Sequence, residues 1–302
     1  MKYFLGIDGG GTKTKVIIIN ENEKIIYESI GGPSSIDTVP LYLTYQNIYE
    51  SLKPFLDKND IELAGVFAGL GGIVFKDDKE KVKDILKQLP CVTSETKIKV
   101  ENDMYNALYS GLLFDEGMCL ICGTGMVAFG LDKQNNRHKA GGWGYKEGEL
   151  GSGYHLGMEA IRYMIRCFDG RYQVDSFAKD IAFELNLSEA SDIIPIMDEL
   201  HNNRTKVASL APFVTKYANL DHEFASIIVE RATSELALAI EAVFHRLKLH
   251  HPKIVIVGSL GNVDGKFKNL LHKKIKRINE HIEILKPAVD PALAAALYAI
   301  KL

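Results

Sequence analysis

The sequence predicts an α/β protein built from two similar lobes, and three observations support this fold class. The chain has 302 residues, a length that suits two domains of about 150 residues better than one core. Each half begins with a short apolar strand, a turn rich in Gly and Thr, and a second strand, over residues 3–19 and 118–131. Most of residues 155–251 has helical periodicity. The repeated opening indicates an internal repeat, which predicts lobes of similar structure.

The other elements follow from the periodicity of the apolar residues. The predicted helices are residues 41–57, 76–89, 106–114 and 291–300, and the further predicted strands are residues 63–67, 98–100 and 254–257. We expect an N-terminal lobe of residues 1–114 and a C-terminal lobe of residues 115–287. A C-terminal helix at residues 288–302 is expected to pack back onto the first lobe.

Composition and charge argue against several classes of function. The hydrophobic fraction of 46% and the charged fraction of 25% are typical of a soluble globular protein. The formal net charge of −3 predicts no nucleic-acid partner and no anionic membrane partner. The basic run at residues 266–277 has apolar residues at helical spacing, so we interpret it as the exposed face of a surface helix.

We expect a cytoplasmic protein, because the chain shows neither a signal peptide nor an apolar run long enough to span a membrane. The four cysteines lie in apolar or helical segments. Cys119 and Cys122 would lie on opposite faces of one strand, so we predict reduced packing residues rather than a metal site. The patterns leave the oligomeric state open, with a homodimer as one option.

The segment DGGGTKT at residues 8–14 indicates a metal–phosphate site at the end of the first strand. Glycines let backbone N–H groups approach phosphate oxygens, and a carboxylate can hold Mg²⁺ directly or through water. The segment is not a Walker A loop, because a strand follows it instead of a helix. A plain hairpin turn is the structural alternative. The predicted nucleotide-binding residues of this turn are Asp8, Gly10, Gly11, Thr12, Lys13 and Thr14, with Asp8 also the metal ligand.

Two further glycine turns strengthen this interpretation. Gly123, Thr124 and Gly125 occupy the same place in the second repeat, so two turns would bind one nucleotide from opposite sides. Gly258 and Ser259 open the segment GSLG after an apolar strand, and we predict that they contact adenosine or ribose.

Asp103 is the candidate catalytic base. It follows a short strand and precedes a predicted helix, and a kinase needs a carboxylate within hydrogen-bond reach of the attacking hydroxyl. Two alternatives exist. Asp103 would also serve as the N-cap of the helix, and Glu101 lies on the same strand face but farther from the strand end.

Together these segments resemble the superfamily of acetate kinase, sugar kinases, heat-shock chaperone ATPases and actin. The chain more closely resembles the N-acetylglucosamine kinase-like branch of the BadF/BadG/BcrA/BcrD ATPase family. The matching segments are DGGGTKT (8–14), FAGLGG (67–72), ENDMYNA (101–107), ICGTG (121–125), GGWGYKEGELGSGYHLG (141–157) and VGSLG (257–261). The resemblance implies two ribonuclease-H-like lobes of the actin-like ATPase type, with ATP and Mg²⁺ in the cleft between them. It also implies phosphorylation of an amino sugar such as N-acetylglucosamine at O6.

The resemblance further implies a set of sugar-binding residues. The only tryptophan lies in the GGWG segment, and its structural alternative is a core side chain in a glycine-rich bend. The implied residues are Ser35, Gly71, Gly72, Asn102, Gly142, Trp143, Glu149 and Ser152.

Two departures from the family pattern affect the expected sugar. Family members usually have Asp-Glu where this chain has Glu149 and Leu150, and Asn where it has Ser35. Loss of an amide and of a carboxylate predicts that the site binds a different set of hydroxyls. Glucosamine and muramic acid are therefore alternatives to N-acetylglucosamine.

Two other functions would use the same fold. The family that the chain resembles includes ATPases that activate 2-hydroxyacyl-CoA dehydratases. Those ATPases need cysteines that hold an iron–sulfur cluster at a dimer interface, whereas the cysteines of this chain lie in apolar or helical segments. A sensor that binds a sugar or a nucleotide without catalysis is the second alternative. We expect no DNA-reading helix-turn-helix, because none precedes Phe4.

Overall fold

The computed structural model describes residues 1–146 and 149–302. Residues 147 and 148, which belong to the GGWGYKEGELGSGYHLG segment, lie outside the described residues. The chain forms two compact units. The first contains Met1–Asp115 and Pro287–Leu302, and the second contains Glu116–Lys286. Within the described part of the chain, no helix has both the length and the hydropathy needed to cross a bilayer.

The first unit is built on a five-stranded sheet in the order β3-β2-β1-β4-β5. Its strands are β1 (Tyr3–Gly9), β2 (Thr14–Asn20), β3 (Ile25–Gly31), β4 (Leu63–Leu70) and β5 (Lys97–Asn102). Strands β1, β2 and β3 form an antiparallel meander, whereas β4 and β5 run parallel to β1. Because parallel strands end at the same edge of a sheet, the residues that follow β1, β4 and β5 are brought together there.

Helices cover both faces of this sheet. They are α1 (Leu41–Leu56), α2 (Lys76–Leu86), α3 (Met104–Leu112) and α11 (Pro291–Ala299). Leu5 and Ile7 point into the core formed with α1 and α2. Gly6 faces the opposite side, where a Cβ atom would lie 2.1 Å from the carbonyl oxygen of Ala292 on α11. Since side chains alternate along a strand, Asp8 lies on the same face as Gly6.

The second unit repeats the architecture. Its strands are β6 (Gly117–Cys122), β7 (Met126–Leu131), β8 (Arg137–Gly141), β9 (Lys253–Val257) and β10 (Glu283–Leu285). The order β10-β9-β6-β7-β8 has the same antiparallel and parallel pairings, so the strand order of the first sheet recurs. The predicted pair of similar lobes is therefore confirmed.

Helices form most of the remaining second unit. They are α4 (Gly153–Phe168), α5 (Ser176–Glu184), a 3-10 helix (Ala190–Ile196), α6 (Met197–Asn202), α7 (Arg204–Ala208), α8 (Ala211–Asn219), α9 (Glu223–Leu247) and α10 (Lys266–Ile278). The basic helix α10 buries Phe267, Leu271 and Ile275, as its spacing predicted. Lys273 and Lys276 are exposed, whereas Lys274 is half-buried and forms an ion pair with Glu230 on α9.

Several elements differ from the predictions in extent. Strands β3, β8 and β10 were not predicted. Their residues are mostly exposed or half-buried, and the apolar run at residues 25–27 in β3 is shorter than the four or more residues typical of a strand signal. Strand β4 continues to Leu70 through glycines that resemble a loop in the sequence. Helix α3 begins at Met104, two residues before the predicted start.

Candidate active site

Three strand ends of the first unit are tied together by backbone hydrogen bonds. The N–H of Gly71, after β4, donates to the carbonyl oxygen of Gly9 on β1 at 2.8 Å. The N–H of Asp103, after β5, donates to the carbonyl oxygen of Leu70 at 3.3 Å. Asp8 and Asp103 therefore belong to the same edge of one sheet, with β4 between their strands.

Asp8 is a half-buried carboxylate with a perturbed pKa. Burial raises its pKa to about 6, and the negative charge of Asp290 contributes in the same direction. The side-chain amide of Asn106 opposes this, because its Nδ2 donates to Asp8 Oδ1 at 2.8 Å. Lys13 and Lys15 also lower the pKa, by smaller amounts. A metal ion would remove the cost of ionising this carboxylate in a desolvated position.

The first glycine turn presents backbone donors. The N–H of Gly10 donates to the carbonyl oxygen of Lys13 at 2.9 Å, which closes the turn between β1 and β2. Within residues 1–146 and 149–302, the N–H groups of Gly11 and Thr12 have no acceptor. Thr12 and Lys13 are exposed. Adjacent N–H groups in such a turn form a typical anion-binding concavity.

Thr14 requires a correction, because its side chain does not belong to this set of donors. The residue is fully buried, and its Oγ1 lies 2.6 Å from the carbonyl oxygen of Gly32 and 2.7 Å from Ser34 Oγ. Its hydroxyl joins the start of β2 to the segment that follows β3. We therefore assign Thr14 a structural role in place of the predicted phosphate contact.

The loop after β4 brings other predicted residues beside Asp103. A Cβ atom on Gly71 would lie 2.4 Å from Ser35 Oγ and 3.6 Å from Asp103 Oδ2. Ser35 Oγ donates to Asp37 Oδ1 at 2.5 Å, and Gly72 adopts a φ of +78°, where a side chain would be strained. The absence of a side chain at Gly71 therefore allows the two candidate residues Ser35 and Asp103 to approach this backbone.

Asn102, and not Asp103, caps helix α3. Asn102 Oδ1 accepts from the N–H of Met104 at 3.1 Å, and its Nδ2 donates to the carbonyl oxygen of Ile73 at 3.0 Å. Asp103 occupies the N-cap position but makes no side-chain capping hydrogen bond. The structural alternative for Asp103 is thereby disfavoured. The predicted contact between Asn102 and a sugar competes with two contacts inside the unit.

The second glycine turn is held by the start of α4. The N–H of Gly153 donates to the carbonyl oxygen of Gly123 at 2.7 Å, and that of Tyr154 donates to the carbonyl oxygen of Thr124 at 3.1 Å. These bonds use carbonyl groups of the turn, and the N–H of Gly123 donates to the carbonyl oxygen of Gly125 at 3.0 Å. In the described part of the chain, the N–H groups of Thr124 and Gly125 have no acceptor. This turn can therefore bind an anion as the first one can.

Glu149 lies against this second turn. Its side chain is buried, and its Oε2 accepts from the N–H of Met126 at 3.2 Å. A Cβ atom on Gly125 would lie 2.4 Å from the same oxygen, so only glycine permits this approach. The carboxylate therefore borders the backbone donors of the turn.

Ser152 also requires a correction. The residue is fully buried, and its Oγ accepts from the N–H of His155 at 3.2 Å as the N-cap of α4. A buried capping hydroxyl is not accessible to a sugar, so we assign Ser152 to the stability of α4.

Trp143 is exposed, which excludes the core alternative. The indole is 68% exposed, and Lys139 Nζ lies 3.8 Å from its ring centroid. Gly141 and Gly142 precede it with φ values of +78° and +64°, where residues with a side chain are strained. The turn thus presents an aromatic face to solvent.

The second unit also contains an apolar cavity of about 360 Å³, for which the sequence predicted the residues of the glycine turns but not the helix residues. Its lining includes Gly123, Thr124, Ala208, Pro212, Ser259 and Leu260. Gly258 adopts a φ of +100°, and a Cβ there would lie 2.4 Å from the carbonyl oxygen of Cys122. The volume suits a small organic ligand. The helix residues in this lining form no recognisable motif, so only the fold reveals them.

Asp8 and the turn beside it suit a metal ion whose other ligands are phosphate oxygens and water. Among the described residues, no group of three or more His, Cys, Asp or Glu side chains forms a dedicated metal cage. Mg²⁺ typically keeps several waters and is bound by one or two carboxylates together with substrate phosphates. A single half-buried carboxylate beside a turn of backbone donors fits this pattern.

Two sheets of the same strand order, each with a glycine turn after its first strand, define an actin-like ATPase fold. The model of the BadF/BadG/BcrA/BcrD ATPase family matches residues 5–299, and the chain belongs to this family.

Similar proteins cover nearly the whole chain. An N-acetylmuramic acid/N-acetylglucosamine kinase from Clostridium acetobutylicum is 30% identical over an alignment of 291 positions, which covers 92% of this chain and 94% of that protein. An N-acetyl-D-glucosamine kinase from Dictyostelium discoideum is 29% identical over 314 residues, with coverage of 98% and 97%.

Solved structures support the fold. A protein from Chromobacterium violaceum that was assigned as an N-acetylglucosamine kinase superposes with a TM-score of 0.79 at 20% identity, with 99% of each chain covered. A glucokinase from Streptomyces griseus superposes with a TM-score of 0.58 at 15% identity, with 99% of this chain and 100% of that chain covered.

Proposed function

We propose that the protein is an ATP-dependent kinase for amino sugars that transfers a phosphoryl group to O6 of N-acetylglucosamine or a close relative. One observation carries this proposal: at one edge of the first sheet, Asp8, at the end of β1, and Asp103, after β5, lie on either side of β4. The N–H groups of Gly11 and Thr12, which have no acceptor among the described residues, lie in the turn that follows Asp8. Two relatives that match over nearly the whole chain are kinases of amino sugars, which supports the same substrate class.

Each polar group has a separate task in this reaction. Asp103 accepts the proton of the attacking sugar hydroxyl, so that a better nucleophile meets the γ-phosphorus. In the first unit the backbone N–H groups of Gly11 and Thr12 provide an anion site for phosphate oxygens, and in the second unit those of Thr124 and Gly125 provide a similar one. Asp8 would hold Mg²⁺ directly or through water, and a bound ion would neutralise charge on the phosphates. Most of the catalysis is thus positioning and charge stabilisation.

We assign the adenosine of ATP to the apolar cavity of the second unit. The cavity begins at Thr124, a residue of the phosphate-binding turn, and extends to Ser259 and Leu260. An apolar lining suits the faces of a purine, and the exposed Ser259 hydroxyl suits the ribose. This assignment agrees with the predicted role of Gly258 and Ser259.

In the first unit we assign contacts with the sugar to the segments that carry Ser35, Gly71 and Gly72. In the second unit, considered by itself, we assign such contacts to Trp143 and Glu149. Ser35 is shorter than the usual Asn, and its buried hydroxyl donates to Asp37 Oδ1, so the segment lacks the amide that would contact the sugar. This difference keeps N-acetylglucosamine, glucosamine and muramic acid as candidate acceptors.

Cysteine burial disfavours the alternative of a dehydratase activator. All four thiols are buried, whereas an iron–sulfur cluster at a dimer interface needs accessible thiolates. Burial also raises the pKa of Cys91 to about 11 and that of Cys122 to about 12. Thiols in these positions stay protonated near neutral pH and serve as packing residues.

A panel assay tests the proposed function. ADP formation is measured with N-acetylglucosamine, glucosamine, N-acetylmuramic acid, glucose and no sugar, and products are mapped by NMR. We expect turnover that depends on an amino sugar and a phosphate on O6. Binding of ATP and amino sugars without turnover would instead establish a sensor, and turnover on glucose alone would exclude the amino-sugar assignment.

Trp143→Ala is expected to raise the KM for the sugar about 5- to 10-fold, because loss of an aromatic contact costs about 1 kcal/mol or more. Its thermal stability should not change, since the indole is exposed. Ser152→Ala is the matched control from the same segment. It should lower the free energy of unfolding by about 1 kcal/mol through loss of a helix cap while the sugar KM stays unchanged. If Trp143→Ala lowered only the stability and Ser152→Ala raised only the sugar KM, Trp143 would be the structural residue and Ser152 the sugar-binding one.

A further inference from the structure

Asn106 is a buried amide on the first turn of α3, and it connects three acceptors. Its side chain is fully buried. Nδ2 lies 2.8 Å from Asp8 Oδ1, 3.0 Å from the carbonyl oxygen of Ile7 and 3.3 Å from the carbonyl oxygen of Gly69. One amide group therefore contacts the Asp8 carboxylate and the backbone of the two strands, β1 and β4, that lead to the candidate site.

This arrangement is unfavourable for stability in two respects. Asn106 Oδ1 is buried without any hydrogen-bond partner among the described residues, a situation that costs about 1–3 kcal/mol. A Cβ on Gly69 would lie 2.3–2.4 Å from the Asn106 side chain, so the strand interior must contain a glycine. Glycine in a strand costs about 0.5–1 kcal/mol relative to Ala. An apolar side chain at position 106 would avoid the first of these costs.

No other side chain in the described part of the chain donates a hydrogen bond to Asp8. Lys15, on the neighbouring strand β2, contacts other carboxylates instead. Its Nζ lies 3.1 Å from Asp290 Oδ2 and 3.3 Å from Glu28 Oε2. The orientation of the Asp8 carboxylate therefore depends on Asn106.

We propose that Asn106 is a positioning residue that orients the Asp8 carboxylate for the metal–nucleotide complex. This inference rests on the proposed function in one respect, the role of Asp8 as the residue that binds Mg²⁺. Second partners of metal-binding carboxylates act in this way, and their loss typically costs about 10- to 100-fold in metal affinity.

The test compares ADP binding with Mg²⁺ and with EDTA by calorimetry, which requires no turnover. The ratio of the two ADP affinities measures the contribution of the metal. Asn106→Leu is expected to reduce this ratio by about tenfold while ADP affinity in EDTA stays unchanged. The control Ser110→Ala, a fully buried site one turn later on α3 whose Oγ donates to the carbonyl oxygen of Ala107, should retain the wild-type ratio.

A double-mutant cycle separates positioning from a general structural effect. In an Asp8→Asn background, Asn106→Leu should cause no further loss, because its effect is transmitted through the carboxylate. Equal losses in both backgrounds, or an unchanged ratio in Asn106→Leu, would overturn the inference. Should Asn106→Leu fail to fold, Asn106→Ala, which leaves space instead of filling it, provides the same comparison.

The two experiments distinguish failure of this inference from failure of the proposed function. A sugar panel without turnover, combined with the expected loss of the metal contribution in Asn106→Leu, would overturn the kinase proposal and support this inference. Amino-sugar turnover together with an unchanged metal contribution in Asn106→Leu would support the kinase proposal and overturn this inference.

Discussion

Asp103→Asn is expected to reduce kcat by about 10²–10⁴ while the protein folds normally and the KM values for ATP and sugar change little. The reason is that Asn has nearly the same shape but cannot accept the proton of the attacking hydroxyl. Because Asp103 makes no side-chain capping hydrogen bond to α3, the substitution should not weaken that helix. Steady-state kinetics and circular dichroism on the same preparation provide the measurement.

Glu101→Gln is the matched control for this substitution. Glu101 is another carboxylate on the same segment, at the end of β5, but it forms an ion pair with Lys79. Its substitution should leave kcat near the wild-type value. Near-normal turnover in Asp103→Asn would remove Asp103 from the mechanism, and a large loss in Glu101→Gln would transfer the role of base to that residue.

Asp8→Asn is expected to abolish the contribution of Mg²⁺ to nucleotide binding and, at the same time, to stabilise the metal-free protein. Burial raises the pKa of Asp8 from 3.8 to about 6. The folded state therefore binds more protons than the unfolded state between these values, so stability falls as pH rises through this window. The full shift corresponds to about 3 kcal/mol, and because Asp8 is only half-buried we expect an effect of about 1–2 kcal/mol.

Urea unfolding in EDTA tests the stability effect. At pH 8 the Asn variant should have the higher free energy of unfolding, because it avoids ionisation of a desolvated carboxyl group. Near pH 4.5 the difference should shrink, since the folded wild-type protein keeps its proton there. A variant that is less stable than wild type at pH 8 would contradict this account. That result would mean that the hydrogen bond from Asn106 to the charged carboxylate outweighs burial.

Glycine turns were predictable because their signal is local. A short apolar strand, a run of glycines and a β-branched strand predict a hairpin, and β1–β2 and β6–β7 confirm both hairpins. Asp103 was predictable in position for the same reason, since it directly follows a strand. Strand β3 was not predicted, because its apolar run, residues 25–27, is shorter than the four or more residues typical of a strand signal.

The roles of some polar side chains at the candidate site could not be predicted from local sequence signals. Thr14 and Ser152 stand in motifs that suggest ligand contacts, yet both hydroxyls are buried and bonded within the protein. A motif shows which polar atoms a segment contains, but it does not show which of them form hydrogen bonds with other segments of the folded protein. Asn106 shows the converse, because its contacts with Asp8 and Gly69 join residues that are distant in the chain.

Local chemistry in the chain was thus sufficient to predict two similar α/β lobes, two phosphate-type turns and one candidate base. Hydrophobic periodicity and the backbone freedom of glycine act over a few residues, so both can be recognised in the sequence without a structure. The apolar cavity, the cap formed by Asn102 and the amide that orients Asp8 depended on packing between segments far apart in the chain. Such contacts form only when the chain folds, since burial and hydrogen bonding are decided by neighbours in space.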